Sequence, residues 1–95
     1  MHIITKKRII EAKKKHPKSI SALDGWYVVA KKNNFTGFAD LKRVFNAVDK
    51  VGNLYGFNIG GNKLRLIASI HFNRKKIYIR AILTHAEYAK GKWGN

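Results

Sequence analysis

The sequence predicts an α+β domain: a small antiparallel sheet with helices packed on one face, in the order βααα-βββα. Three observations predict it. Apolar residues recur at helical spacing as far as Val51 and alternate with polar ones beyond it. Turn residues divide the alternating half into three runs. The chain has 95 residues, 45% of them hydrophobic, which is enough for a single domain (residues 1–95) with a modest core.

His2-Ile3-Ile4 reads as a short first strand. Thr5 is placed to cap a helix over Lys6–His16, with Ile9, Ile10 and Ala12 as a narrow apolar stripe. Pro17 ends that helix, because the residue before a proline leaves the helical region. A second helix runs from about Ser19 to Lys32, with Ile20, Leu23, Trp26, Tyr27 and Ala30 on one face. Residues 33–37 form a loop. A short third helix puts Leu41, Val44, Phe45 and Val48 on one side.

From Leu54 the period becomes two. Leu54–Ile59, Leu64–Asn73 and Lys76–Leu83 read as strands, joined by turns at Gly60-Gly61-Asn62-Lys63 and Asn73-Arg74-Lys75. Thr84-His85-Ala86-Glu87 has capping-box spacing and opens a last short helix through Tyr88. The alternation also places side chains. Tyr55, Phe57 and Ile59 face the core, as do Leu64, Leu66, Ala68, Ile70 and Phe72, then Ile77, Ile79, Ala81 and Leu83. Neighbours across a ladder share a face, so Ile59 should pair with Leu64 and Asn73 with Lys76. The opposite face collects Asn58, Arg65, Ile67, Ser69, His71, Tyr78, Arg80 and Ile82.

Charge narrows the function. Twenty Lys+Arg against five Asp+Glu give a formal net charge of +15. A chain with so few acids for internal pairing is usually offset by a polyanion or an acidic partner. The charge is uneven: residues 1–18 carry seven basic residues and one acid, and residues 51–95 carry eight and one. The absence of cysteine excludes disulfides, thiolate metal sites and thiol nucleophiles. No apolar run nears the length of a membrane span, and MHIITKKRII lacks the apolar stretch of a signal peptide. The expectation is a cytoplasmic protein without a membrane partner.

Several candidate sites have both a chemical and a plainer reading. Arg65 and Arg80 lie mid-strand on the open face with His71 and Tyr78, which suits phosphate and base contacts; a half-solvated sheet face explains them equally well. His85 follows a capping Thr84, where the helix dipole disfavours a positive ring, so a neutral imidazole could act as a base. Tyr88 follows three residues on, on the same helical face, or simply packs on the sheet. Gly60-Gly61-Asn62 could cradle a phosphate but is explained by a hairpin turn. Lys6-Lys7-Arg8 and Lys13-Lys14-Lys15 are a solvated helix face, or a steering patch for RNA or an acidic partner. Trp93 either closes the core or stacks on a base. His2 and His16 read as ordinary, partly exposed residues. The acids Glu11, Asp24, Asp40, Asp49 and Glu87 are scattered, with none expected on a strand, so no metal site is expected.

Read together, several segments resemble the HigB family of type II toxins. They are Phe57-Asn58-Ile59-Gly60-Gly61-Asn62-Lys63-Leu64-Arg65-Leu66-Ile67, Ile79-Arg80, Leu83-Thr84-His85-Ala86-Glu87-Tyr88 and Gly91-Lys92-Trp93. Phe38-Ala39-Asp40-Leu41-Lys42, Phe45 and Val48-Asp49 add to the likeness, which runs over nearly the whole chain. The resemblance implies a RelE-like fold. It implies an mRNA interferase that cuts messenger RNA on the translating ribosome, without a cofactor. It also implies a HigA-type helix-turn-helix antitoxin and a toxin–antitoxin hetero-oligomer.

By the same resemblance, Arg65 and Arg80 would hold the scissile phosphate. His85 and Tyr88 would activate the ribose 2′-hydroxyl or protonate the leaving oxygen. Asn58, Asn62, Lys63 and Lys92 would contact RNA, and His71 and Tyr78 join them from their place on the open sheet face. Two positions depart from the pattern. Ala89 stands where the family usually has Asp, and Gly56 where it often has a β-branched residue. If the absent carboxylate positions a catalytic group, activity falls while the fold and antitoxin binding survive. The competing classes are a non-catalytic RNA-binding module and a ribosome-associated basic domain. A double-stranded-RNA-binding domain also reads α-βββ-α, but that class starts its last helix with lysines rather than Thr84-His85-Ala86-Glu87.

Overall fold

A computed structural model describes residues 1–61 and 63–91. The chain forms β1 (His2–Ile4), α1 (Lys7–Lys15), a 3₁₀ turn (Pro17–Ser19), α2 (Ile20–Lys32) and α3 (Phe38–Val44). It continues through β2 (Asp49–Val51), β3 (Leu54–Ile59), β4 (Leu64–His71), β5 (Lys76–Thr84) and α4 (His85–Ala89). The α+β class and the element order follow the expectation, with β2 as the addition. The sheet order is β1-β5-β4-β3-β2. All pairings are antiparallel except β1 with β5, which is parallel and makes the sheet mixed at that edge.

One face of the sheet carries the core. Ile9 and Ala12 of α1, Leu23, Trp26 and Ala30 of α2, and Leu41 of α3 form one cluster with it. Phe57, Ile59, Leu66, Ala68, Ile77 and Ile79 are their sheet partners. Trp26 and Phe45 both meet the Phe57 ring edge-on, at centroid distances of 5.4 and 5.0 Å. Burying each large apolar side chain of this kind contributes about 1.5–3 kcal/mol. Among the described residues, no helix is long and apolar enough to cross a membrane.

The helix starts differ in how they are secured. Thr5 does not cap α1. It sits in the left-handed region at φ 66°, and its hydroxyl accepts from the Ile79 backbone N–H at 3.0 Å, extending the β1–β5 pairing. Ile10 turns to solvent, so the α1 stripe is only Ile9 and Ala12. Ile20 and Val44 are likewise exposed. α3 starts against Asp40, whose carboxylate accepts from the backbone N–H groups of Thr36 and Gly37 and from the Thr36 hydroxyl. Those bonds, led by the Thr36 N–H, hold the Asp40 carboxyl below its ordinary pKa. α4 has the expected capping box: Thr84 N–H donates to Glu87 at 2.9 Å, and Glu87 N–H donates to the Thr84 hydroxyl at 3.2 Å.

The strand register is half as expected. Ile59 pairs with Leu64 across a turn in which Gly60 and Gly61 both have positive φ. Glycine adopts that conformation without a side-chain clash. The second turn is longer than expected. His71, not Asn73, pairs with Lys76, and Phe72 leaves the strand to pack edge-on against Tyr55 at 5.9 Å. A β-bulge then breaks the alternation: Ala68 pairs with Ile79 but Ile67 pairs with Ala81, leaving Arg80 as the extra residue. Beyond it the faces of β5 exchange. Ile82 packs on the core, while Ala81 and Leu83 are outside the core cluster. Strict alternation cannot anticipate an inserted residue.

Candidate RNA-binding face

The sheet's other face is the candidate site. Across it run Gly56 and Asn58 of β3, Arg65, Ile67 and Ser69 of β4, and Tyr78 and Arg80 of β5. Two separate groupings stand on it.

The first is built around Arg65. Its guanidinium lies 4.7 Å from the centre of the Tyr88 ring, a stacking distance for a cation and an aromatic face. Tyr88 reaches this position because α4 begins where β5 ends and turns back over β4. Gly56 makes room. A Cβ built there would lie 3.8 Å from the Tyr88 ring and 3.6 Å from the Ile67 side chain. Ile67 is fully buried although it belongs to this face and not to the core cluster. Gly56 is therefore the floor on which Tyr88 rests. Asn58 pairs directly with Arg65 across the ladder. Asn58 Oδ1 and Arg65 Nε are both buried, and neither has a hydrogen-bond partner among the described residues. Such atoms are costly to leave unpaired. Trp26 Nε1 in the core shares that condition, so an unpaired atom by itself does not mark a site.

The second grouping is built around Arg80. The bulge sets it on the open face, where its Nε donates to Ser69 Oγ at 3.3 Å. Tyr78 pairs with Ser69, and the His71 and Tyr78 rings meet edge-on at 5.2 Å. Arg80 and His71 are exposed. A shallow pocket joins Ser69, His71 and Arg80 to Lys50 and Asn53 of the β2–β3 hairpin.

Sequence reasoning thus placed Asn58, Arg65, His71, Tyr78 and Arg80 on one face, and the structure does bring them there. It also brings Tyr88 to Arg65. His85 is exposed at the first residue of α4, and its side chain makes no hydrogen bond among the described residues. Lys63 is exposed in the β3–β4 turn. Asn62, Lys92 and Trp93 lie outside the described residues. Two residues were missed. Ser69 was read only as a face position, and Asp49 was assigned to no strand. Asp49 belongs to β2 and pairs with Gly56. Gly52-Asn53, a two-residue hairpin signal, could have revealed that strand. Among the described residues, no three His, Asp or Glu side chains stand together as a metal site would require.

Residues 19–91 match the model of a family described as HigB toxin, the RelE-like toxic component of a toxin–antitoxin system. The chain belongs to the HigB toxin family. The matched segment contains β3, β4, β5 and α4, and so the whole of the Arg65–Tyr88 and Arg80–Ser69 groupings. Among curated relatives, the chain is 38% identical to the mRNA interferase toxin HigB of Escherichia coli K12. That match covers 91 residues, 93% of this chain and 88% of the relative. The mRNA interferase HigB of Shigella flexneri shows the same figures. The one from E. coli O6:H1 strain CFT073 is 36% identical over 95% of this chain and 90% of its own length. Membership in HigB gives the chain an antitoxin as partner and a RelE-like fold.

Proposed function

We propose that the chain is an mRNA interferase that cuts translated messenger RNA on the ribosome, using the ribose 2′-hydroxyl as nucleophile and no metal. The observation that carries this reading is the Arg65 guanidinium held on the Tyr88 ring, on the face shared with Arg80. A planar cation whose orientation is already fixed can stabilise charge that develops on a phosphate oxygen. RNA supplies its own nucleophile, so the protein needs only to bind, orient and move protons.

In this reading Arg65 and Arg80 hold the scissile phosphate. Tyr88 and His85 serve proton transfer. Asn58, Asn62, Lys63, His71, Tyr78 and Lys92 contact the RNA. The +15 charge favours an RNA-rich target such as the ribosome. The relatives' names support the activity. The partner in the cell is a HigA-type helix-turn-helix antitoxin, which neutralises the toxin in a cytoplasmic hetero-oligomer. Ala89, in place of the family's usual Asp, favours a second reading: an RNA-binding domain that no longer cleaves.

A reconstituted translation reaction with a defined mRNA tests the choice. Cleavage that occurs on translating ribosomes but not on chelated free-RNA controls, and that disappears in Arg65→Ala and Arg80→Ala, supports the interferase. Ribosome binding without cut sites, unchanged by Ala89→Asp, supports the binding domain instead.

A further inference from the structure

The five acidic residues of the chain are not equivalent. Glu87 is held in the α4 capping box, and Asp40 secures the start of α3. Asp24 is paired with Lys13 at 2.8 Å, and Glu11 lies 4.0 Å from Lys7 on α1. Asp49 is different: among the described residues its side chain makes no hydrogen bond and no ion pair, and it is exposed. Its position is set by β2. Asp49 stands directly opposite Gly56, and residues paired in an antiparallel ladder share a face with Cβ atoms about 4.5–5.5 Å apart. The neighbouring pair confirms the phase. Lys50 pairs with Tyr55 on the core side and holds its ammonium 6.0 Å from that ring. Asp49 therefore belongs to the open face. A Cβ at Gly56 would lie 3.9 Å from the Tyr88 hydroxyl, so Asp49 stands across the ladder from the residue that underlies the phenol of Tyr88.

An unpaired acid on the face of a +15 chain that receives RNA works against binding. Its location next to the Arg65–Tyr88 stack gives it a use that binding alone would not. We propose that Asp49 is the proton acceptor of the cleavage reaction, an assignment that rests on the interferase reading above. The Asp49 carboxylate takes the proton of the ribose 2′-hydroxyl. The 2′-oxygen bonds to phosphorus as the bond from phosphorus to the 5′-oxygen breaks. The leaving 5′-oxygen takes a proton from Tyr88 or His85. One strand then ends in a 2′,3′-cyclic phosphate and the other begins with a 5′-hydroxyl. The carboxylate missing at Ala89 of α4 is not needed for this step, because Asp49 supplies one from β2.

The two possible roles of Asp49 predict opposite results for Asp49→Asn. Single-turnover cleavage of mRNA on programmed ribosomes is measured alongside binding of a 2′-deoxy oligonucleotide that cannot react. Asp24→Asn removes the same charge from the helix side and is the control. Loss of a general base should slow cleavage by about 100-fold or more. Oligonucleotide binding should stay equal or become tighter, and Asp49→Glu should recover part of the rate. Asp49→Asn cleavage within about threefold of the unmodified chain, with tighter RNA binding, would make Asp49 a bystander and overturn the assignment. Absence of cleavage by the unmodified chain would instead remove the interferase reading itself. A melting curve for Asp49→Asn that matches the unmodified chain separates a chemical loss from an unfolded edge strand.

Discussion

Arg65 and Arg80 stand on the same sheet face and are held in opposite ways. Arg65 is half-buried, with its guanidinium on the Tyr88 ring and its Nε shielded from water. Arg80 is exposed, placed by a bulge and tethered by one bond to Ser69. The difference is one of preorganisation. Arg65 has already lost its side-chain freedom on folding, so in the interferase reading it would bind a phosphate without a further entropic cost. Arg80 keeps that freedom, so in the interferase reading it would hold the scissile phosphate mainly through its charge. Of the two, the Arg65 end is the better candidate for chemistry and the Arg80 end for capture.

Replacing each arginine with lysine tests that division, because charge is kept and the planar fork is lost. Arg65→Lys should slow cleavage by about 100-fold, the size of loss typical when a positioned donor to a developing oxyanion is removed. Arg80→Lys should change the rate by less than about fivefold. Single-turnover rates on programmed ribosomes measure both, and equal losses would break the comparison.

Gly56→Val gives the next largest effect. The added methyl groups extend toward the Tyr88 ring and push it off its seat. A β-branched residue suits a strand, so the melting temperature should hold or rise slightly. Cleavage should fall by about tenfold, on the scale of a small misplacement at a reacting centre. The His71 and Tyr78 ring signals in an NMR spectrum should not move, since they lie at the other end of the face. Movement there would show that the two groupings are one unit.

A smaller effect separates the ends by salt. Raising ionic strength should weaken RNA binding less in Arg80→Ala than in the unmodified chain, because one phosphate contact and its released counterion are gone. A slope of binding against salt that is unchanged would place Arg80 outside the RNA path.

Acid produces the smallest effect. The Thr84 N–H, and then its hydroxyl, hold the Glu87 carboxyl below its ordinary pKa. A folded value below the unfolded one means that this support is present above the ordinary carboxylate range and is lost as pH falls through the folded value. α4 should therefore loosen in acid while the sheet stays intact. Faster exchange of the Glu87 amide at low pH, ahead of the β4 amides, is the expected signature. Simultaneous exchange would mean that α4 melts only with the whole domain.

Much of this was legible in the chain. The apolar period of two fixed the extents of β3 to within its ends and put Asn58 and Arg65 on one face. The capping box of α4 was readable because its partners are three residues apart. Thr5 was misread for a related reason. Its residue type suits a cap, but its hydroxyl is taken by Ile79, a residue distant in sequence. Asp49 was missed because a strand of three exposed residues, Asp49, Lys50 and Val51, is too short to carry a period.

The amino-acid sequence by itself determined the α+β class, the burial of Phe57 and Leu66, the charge and the family. These follow from local spacing, from composition and from motif. Only the tertiary structure decided that Tyr88 lies on Arg65, that Gly56 supports it, that a bulge sets Arg80, and that Asp49 shares their face. Each of those facts joins residues on different elements through sheet register. A single inserted residue changes register without changing the average pattern from which elements are read.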